Sequence, residues 1–524
     1  LQDGRAAKFA ALFLWIAFTL SGPRAGLAQD VTLLSRDGSV EVSGTLLGFD
    51  GEYYRIDTVY GELTVDGSGV ICDGPGCPDL QAYVAELAIS GASTTGEVLL
   101  PALVEGFALR NGYGVSREDL SPTRVVYTLI EKAENRIAAR FSIHSANTDE
   151  GFADLLANEA DLVMALREVR DEEADRALDA GLGDLRGRNR SRVLALDALV
   201  PIVAPGNPVR EITVPDLAHV FSGAIDNWQA LGGPDAPIAV HLRDAASGLG
   251  QAAEDRLLGP ISANLRSDAT RHKTDAALVK AVLRDPFAIG LASASGIGNA
   301  VALGLAGNCG FTIHATRRNA KTEDYPLTAP VFLYSPARRL PKLAREFLAY
   351  IRTPAAQLVI RRTGFTDQSP EEVSIDDQGD RFANAIARAG DEIGLTELKR
   401  MVTTLAPLRR LTITYRFETG SAALDPQSRS NVQQLAAALE SGMFDGRKLV
   451  FVGFSDGEGQ AEGNRNIAQR RAESVLRAVK AAAETANFDQ LELGVETFGE
   501  AMPMACDDSA WGRQVNRRVE VWLR

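Results

Sequence analysis

Histidine is scarce in this chain, with five in 524 residues: His144, His219, His241, His272 and His314. They are scattered without the close spacing that a zinc site needs, so no metal ligand is assigned. Basic residues form no long run, and the formal net charge is -14. That balance argues against nucleic acid or an anionic membrane surface as the main partner. Beyond the first 28 residues no apolar stretch reaches the roughly 20 residues needed to span a bilayer. Catalytic groupings are missing too. No nucleophile, base and orienting group can be assembled by spacing, and no pair of catalytic carboxylates, so no catalytic residue, no cofactor and no enzymatic activity is expected. The segment Gly453-Phe454-Ser455-Asp456-Gly457 does satisfy G-x-S-x-G, the nucleophile elbow of serine hydrolases. That motif requires a helix directly after the serine and a later histidine; here Gly and polar residues intervene, and the last histidine is His314.

Hydrophobic residues make up 45% of the sequence, enough for sizeable cores, and the length sets a prior of about three or four domains. Residues 1–28 read as a secretory signal: Arg5 and Lys8, an apolar run from Phe9 to Leu20, and Gly26-Leu27-Ala28 as a small-residue cleavage site. No cysteine follows that site, so a lipid anchor is not expected. Export makes a disulfide reading of the four cysteines natural. Cys72 and Cys77 flank the turn-forming Asp73-Gly74-Pro75-Gly76 and are expected to pair. Cys309 and Cys506 fall in different domains, and sequence leaves them either free or paired with each other. From 31 to 80, short alternating runs cut by Asp37-Gly38, Asp50-Gly51, Tyr60-Gly61 and Asp66-Gly67 read as a small antiparallel β module.

Between 82 and 366, strand-like and helical runs alternate, which implies an α/β architecture. Two strand-to-helix turns stand out. One is Ser90-Gly91-Ala92-Ser93-Thr94-Thr95-Gly96, and the other is Arg243-Asp244-Ala245-Ala246-Ser247-Gly248. Hydroxyls and bare amides at a helix N-terminus attract anions, and Arg243 adds a charge-assisted contact. The same Ser and Thr also suit plain helix capping. These turns, with Ala160-Asp161, Val200-Pro201-Ile202-Val203, the stretch Phe221-Ser222-Gly223-Ala224-Ile225-Asp226-Asn227-Trp228, Ala288-Ile289-Gly290 and Tyr325-Pro326-Leu327, resemble the phosphate-binding receptors of ABC transporters. The resemblance implies a two-lobed periplasmic-binding-protein-like fold and a small oxyanion such as phosphate held by Ser93, Thr94, Asp161, Arg243, Ser247 and Gly248. Leu249 stands where the family has Thr, which removes one hydroxyl donor.

Residues 367–407 begin acidic and continue with loosely helical apolar spacing; they read as a partly helical linker or as a last receptor helix. From 408 onward comes a layered α/β domain, opened by the alternating Leu411-Thr412-Ile413-Thr414-Tyr415-Arg416-Phe417 and closed by Arg518 to Leu523. Its centre is Leu449 to Arg471: a strand, a Gly-rich loop, and a helix whose buried stripe is Ala468, Ala472, Val475, Leu476 and Val479. Asn464 and Arg471 are two turns apart on one side of that helix, and Asp456 can face them. One carboxylate, one amide and one guanidinium suit a ligand carrying both ammonium and carboxylate. An ordinary surface ion pair would show the same residue types.

Gly453-Phe454-Ser455-Asp456, Asn464, Ile467-Ala468-Gln469-Arg470-Arg471-Ala472 and Asn516-Arg517-Arg518-Val519-Glu520 resemble the OmpA-like peptidoglycan-binding domain, an α/β sandwich. The resemblance implies that Asp456, Asn464, Arg471 and Arg517 bind peptidoglycan through the diaminopimelate of its stem peptide. The expectation is a multidomain α/β protein in the periplasm, associated with the cell wall or the inner face of the outer membrane. It would hold peptidoglycan and a small oxyanion, with an ABC transporter or an outer-membrane protein as a further partner. The alternative is a structural envelope tether whose ligand cleft is vestigial.

Overall fold

The structure is a computed structural model that describes residues 30–524 apart from 188–189, 308–310, 388, 390–392 and 419–420. The expected signal, 1–28, and Cys309 lie outside the described residues. Two compact units divide between Tyr83 and Val84.

In the first unit five antiparallel strands lie in the order Gly61–Asp66, Tyr53–Thr58, Glu41–Phe49, Asp30–Ser35, Val70–Asp73. Among the described residues its fully buried core is Val31, Leu33, Tyr54 and Ile56, with Val42, Leu46, Phe49, Val65 and Val70 partly buried against it. The Cys72–Cys77 disulfide, 2.02 Å between sulfurs, supplements it as the sequence led us to expect.

The second unit contains an eleven-stranded sheet in which two lobes share one strand. On one side, Leu162–Ala165, Ala85–Ala92 and Arg136–Ala146 run parallel, with Arg124–Glu131 and Tyr113–Ser121 added as antiparallel neighbours. On the other, Thr270–His272, Ala239–Arg243 and Ala288–Ser293 are parallel. The strand Ser191–Val203 joins them: Ser191 to Ala198 pair with Thr328–Tyr334, and Leu199 to Val203 pair with Ala288–Ser293. Strands covered on both faces are apolar without alternation, as in Leu162–Ala165 and most of Ser191–Val203. Asp197 is the one carboxylate in that long strand. Phe221 and Trp228 are fully buried, and the Trp228 indole donates to the Phe287 carbonyl at 2.8 Å, so their motif serves packing.

A second sheet has the order Glu372–Val373, Arg409–Arg416, Arg518–Leu523, Lys448–Phe454, Glu492–Gly499. Period-two alternation sends Leu411, Ile413, Tyr415, Phe451, Val519 and Val521 to one face, against helices Pro426–Glu440 and Ala461–Ala482. Val450, Val452, Phe454 and Trp522 go to the other, where Ala385, Leu398, Met401 and Leu405 cover them. Residues 367–407 are therefore neither linker nor receptor helix. They supply an edge strand and the helices Gly379–Ala387 and Leu395–Leu405, which complete the second face of the C-terminal sheet. The reason is visible in Leu398, Met401 and Leu405, whose apolar stripe needs a cover and finds it there.

The polar half of the alternating strand Arg409–Arg416 does not face water. Arg410 donates to Asp324 at 2.6 and 3.0 Å, and both side chains are 3% exposed. Arg416 donates to the Glu323 carbonyl, and Asn431 to the Glu323 carboxylate at 3.1 Å. Behind them Glu520 accepts from Arg381 at 2.5 Å, Arg518 at 2.7 Å and Trp522 at 3.0 Å. Burial alone would raise the Asp324 and Glu520 carboxyls, but the surrounding guanidinia hold both below their usual range. Glu323 goes the other way: burial, with the charge of Asp425 added, lifts it from 4.5 to about 8.

Arg410→Ala strips Asp324 of its partner inside a dry interface and is expected to cost about 3–5 kcal/mol, read as a lowered urea midpoint. Glu323 retains a proton in the folded chain that the unfolded chain releases, so its contribution is fully present below its unfolded value and is lost as pH rises towards about 8. The melting temperature of Glu323→Gln is expected to fall less than the parent's between pH about 5.5 and about 8.

Candidate functional site

Two sites were anticipated, and most of the residues expected in them lie at strand ends and helix starts. In the C-terminal domain, the strand Lys448–Phe454 leads into Ser455 and Asp456, and the helix Ala461–Ala482 returns across it. Gly453 makes the close crossing feasible, because a Cβ there would stand 2.2 Å from the Ala468 carbonyl oxygen. That crossing brings the helix's Asn464 and Arg471 to the end of the strand where Asp456 sits.

Asp456 is 8% exposed and accepts from Arg517 at 2.8 Å. Arg471 lies with its guanidinium over the Phe417 ring, 5.0 Å from the centroid. Burial and then the Arg517 charge lower the Arg471 pKa, while Asp456 opposes them, so the three groups share one field. Among the described residues no carboxylate forms an ion pair with Arg471. Asn464 is buried and its amide donates to Glu500 at 2.5 Å, so it braces the loop that follows the strand Glu492–Gly499.

Sequence reasoning missed Asp507. It accepts from the Gly457 amide and from Asn516, each at 2.8 Å, and its pKa is raised by burial against those two bonds. No spacing signal marks it; the loop that precedes helix Ala510–Asn516 folds back to place it beside Asp456. The Ser455 hydroxyl is buried there with no partner. The set pairs one guanidinium lacking an acid with two neighbouring carboxylates, an arrangement complementary to a zwitterion.

In the larger sheet, strand Ala85–Ala92 belongs to one lobe and strand Ala239–Arg243 to the other, and the turns after them abut. A Cβ on Gly248 would stand 2.6 Å from that of Ala92. Ser93, Thr94 and Thr95 are buried, and none of their hydroxyls has a hydrogen-bond partner. Capping does not account for them, since Thr94 makes no side-chain cap bond. Ser247 does cap: it accepts from the Gly250 amide at 3.0 Å and donates to the Asp244 carbonyl at 2.7 Å.

Arg243, 3% exposed, reaches Asp275 at 2.7 Å and the Lys273 carbonyl at 3.0 Å, while its Nε has no acceptor. Three acids not anticipated from sequence stand around it. Glu97 is raised by burial, with Arg243 opposing, and Asp197 is raised by burial to about 6, with Asp275 adding to the rise.

Asp161 does not join this cleft. It lies at the opposite end of the strands, accepting from the Ala88 amide and from Arg338, each at 2.8 Å. Its sequence neighbourhood matched, but Leu162 pairs level with Ile89, three residues before the end of Ala85–Ala92. Ser90 also sits inside the strand, where its hydroxyl donates to Asp154 at 2.5 Å.

Residues 78–354 match the model of the PBP superfamily domain, and residues 416–517 match that of the OmpA family. The phosphate-binding protein PstS of Borreliella burgdorferi is 25% identical over 181 residues, 34% of this chain and 65% of its own length. Protein SphX of Synechococcus elongatus is 28% identical over 232 residues, 42% of this chain and 66% of its own. The peptidoglycan-associated lipoprotein of Pseudomonas putida is 33% identical over 118 residues, 22% of this chain and 65% of its own. The chain thus spans 65–66% of the length of these relatives. Among solved structures, an ABC-type phosphate transport receptor from Vibrio cholerae aligns with 53% of this chain and 98% of its own at 20% identity and a TM-score of 0.42. The peptidoglycan-associated lipoprotein from Burkholderia pseudomallei aligns with 21% of this chain and 89% of its own at 26% identity and a TM-score of 0.19. Since the first of these matches takes in more than half of the sequence, the chain belongs to the PBP superfamily, with an OmpA-family domain joined behind its receptor-like part.

Proposed function

We propose that this chain is a periplasmic receptor for a small oxyanion, phosphate foremost, tethered non-covalently to peptidoglycan and serving no enzymatic reaction. The observation that carries the receptor half is the set of three buried hydroxyls without partners, Ser93, Thr94 and Thr95. A buried hydroxyl left unbonded costs free energy that a bound oxyanion recovers. The relatives' names, phosphate-binding protein and peptidoglycan-associated lipoprotein, agree in kind with the two sites. No helix among the described residues is long and apolar enough to cross a membrane. In the anchoring half, Arg471 receives the carboxylate of a diaminopimelate-type stem peptide, and Asp456, steadied by Arg517, receives its ammonium. An ABC transporter as the recipient of the anion, or an outer-membrane protein as a neighbour, belongs to the same proposal.

A second reading, an envelope tether whose cleft takes no ligand, is favoured by one observation: Arg243 already pairs with Asp275, and the Ser247 hydroxyl is committed to Asp244. Titration calorimetry decides between them. With phosphate added to the full chain, the receptor reading gives saturable heat that Arg243→Ala weakens at least tenfold; absence of heat with phosphate, sulfate and other small oxyanions leaves the tether reading.

The cleft's acids also set a pH dependence. Asp197 ionises as pH passes about 6, placing a further negative charge behind Asp275. Phosphate affinity is therefore expected to decline more steeply between pH about 5.5 and about 7.5 in the parent than in Asp197→Asn. For the anchor, sedimentation with purified peptidoglycan is expected to fall at least tenfold for Arg471→Ala and for Asp456→Ala, the lost charge-assisted contact being worth about 1.5–3 kcal/mol. Undiminished sedimentation of both variants would refute the anchoring half.

A further inference from the structure

A third opening in the molecule matches neither site. It is a cavity of about 680 Å³ where the crossover strand Ser191–Val203 and the helices Lys342–Tyr350 and Pro354–Arg362 meet the helix Pro426–Glu440 of the C-terminal domain. Two arginines line it, Arg192 from the strand and Arg352 from the segment between the two helices. Neither is in an ion pair or a side-chain hydrogen bond among the described residues, and the Arg192 Nε is sealed from solvent with no acceptor. The Gln368 amide nitrogen, from the same lining, is likewise buried without an acceptor.

Arg192 is half-buried and Arg352 exposed, and both differ from the buried guanidinia elsewhere in the chain. Arg381, Arg410 and Arg518 each meet a carboxylate. Arg192 and Arg352 instead face each other's charge: burial and then Arg352 bring Arg192 down to about 10, and burial lowers Arg352 as well. Two guanidinia of like charge lining one cavity repel each other, and an anion held between them relieves that repulsion. The two acids in the lining do not do so. Glu440 accepts from the Thr485 amide at 3.1 Å, and among the described residues no carboxylate charge shifts Arg192 or Arg352.

We propose that this interdomain cavity is a second anion site, and that its ligand is an organic dianion, a phosphate monoester or a dicarboxylate, gripped by Arg192 and Arg352. Two guanidinia present parallel pairs of donors, the match for a group with two or three charged oxygens. The volume exceeds what inorganic phosphate needs and falls within the range of small-molecule pockets, roughly 300–1,000 Å³. Apolar Leu348 and Ala437 beside polar Gln434 suit a short carbon chain bearing hydroxyl or amide groups. Because the walls come from both the receptor-like part and the C-terminal domain, an occupant strengthens the joint between them. The inference is independent of what the interlobe cleft binds.

Glycerol 3-phosphate and succinate, titrated separately into the full chain by calorimetry and by thermal shift, distinguish the two chemistries. The expected result is saturable binding of one of them with a raised melting temperature, weakened at least tenfold by Arg192→Gln and by Arg352→Gln and unchanged by Arg243→Ala. Removing one of two neighbouring like charges is also expected to leave the unliganded melting temperature equal to the parent's or higher. Should Arg192→Gln fail to fold, Arg352→Gln carries the test alone. Neither probe binding at about 10 mM, or binding that survives substitution of the arginines while Arg243→Ala abolishes it, overturns the assignment.

Discussion

The pairing of Arg410 with Asp324 is the contact on which the arrangement of the second unit depends. Both side chains are withdrawn from water, and each sits in a different domain, so the interaction exists only while the domains are joined. Its strength comes from company. Arg381 and Arg518 neutralise Glu520 beneath it, and Arg410 lies within reach of both acids at once, 3.4 Å from Glu520. In such surroundings no single charge can be removed without stranding another, which makes the joint specific as well as tight. The polar alternate positions of one strand, ordinarily a solvated edge, have become the mortar between a receptor-like part and an OmpA-family domain.

Around that joint the two recognition sites follow one physical scheme. Each is assembled where a strand ends and a helix begins, with a glycine permitting the approach: Gly453 under the helix at the C-terminal site, Gly248 against Ala92 at the cleft. Each also keeps hydroxyls unsatisfied in a buried place, Ser455 at one and Ser93 to Thr95 at the other. Native interiors rarely tolerate that, which sets these groups apart from the rest of the interior.

Much of this was legible in the sequence because it rests on local patterns. Cys72 and Cys77 flank a turn, and they pair; the stripe from Ala468 to Val479 has helical period, and its members pack on the sheet. Turn residues and helix starts placed Ser93, Thr94, Arg243, Asp456 and Arg471 correctly with respect to their elements. Long-range register was not legible. Asp161 sits near a matching motif but at the far end of its strands, and only pairing across the sheet reveals that. Asp197, Asp275 and Asp507 acquire their surroundings from segments distant in the chain. The acidic start of 367–407 resembled a linker because composition speaks to local solvation and not to the apolar stripe beyond it, which a second sheet face absorbs.

One feature of the joint bears on movement. The C-terminal domain touches both lobes of the receptor-like part: Arg429 is paired with Glu168 in one, and Trp511 donates to the Arg256 carbonyl in the other at 3.4 Å. Any swing of one lobe about the shared strand must then strain or release a contact with this third body. A displacement of the C-terminal domain would consequently be felt at the mouth of the cleft, and the gape of the cleft would be felt in that domain.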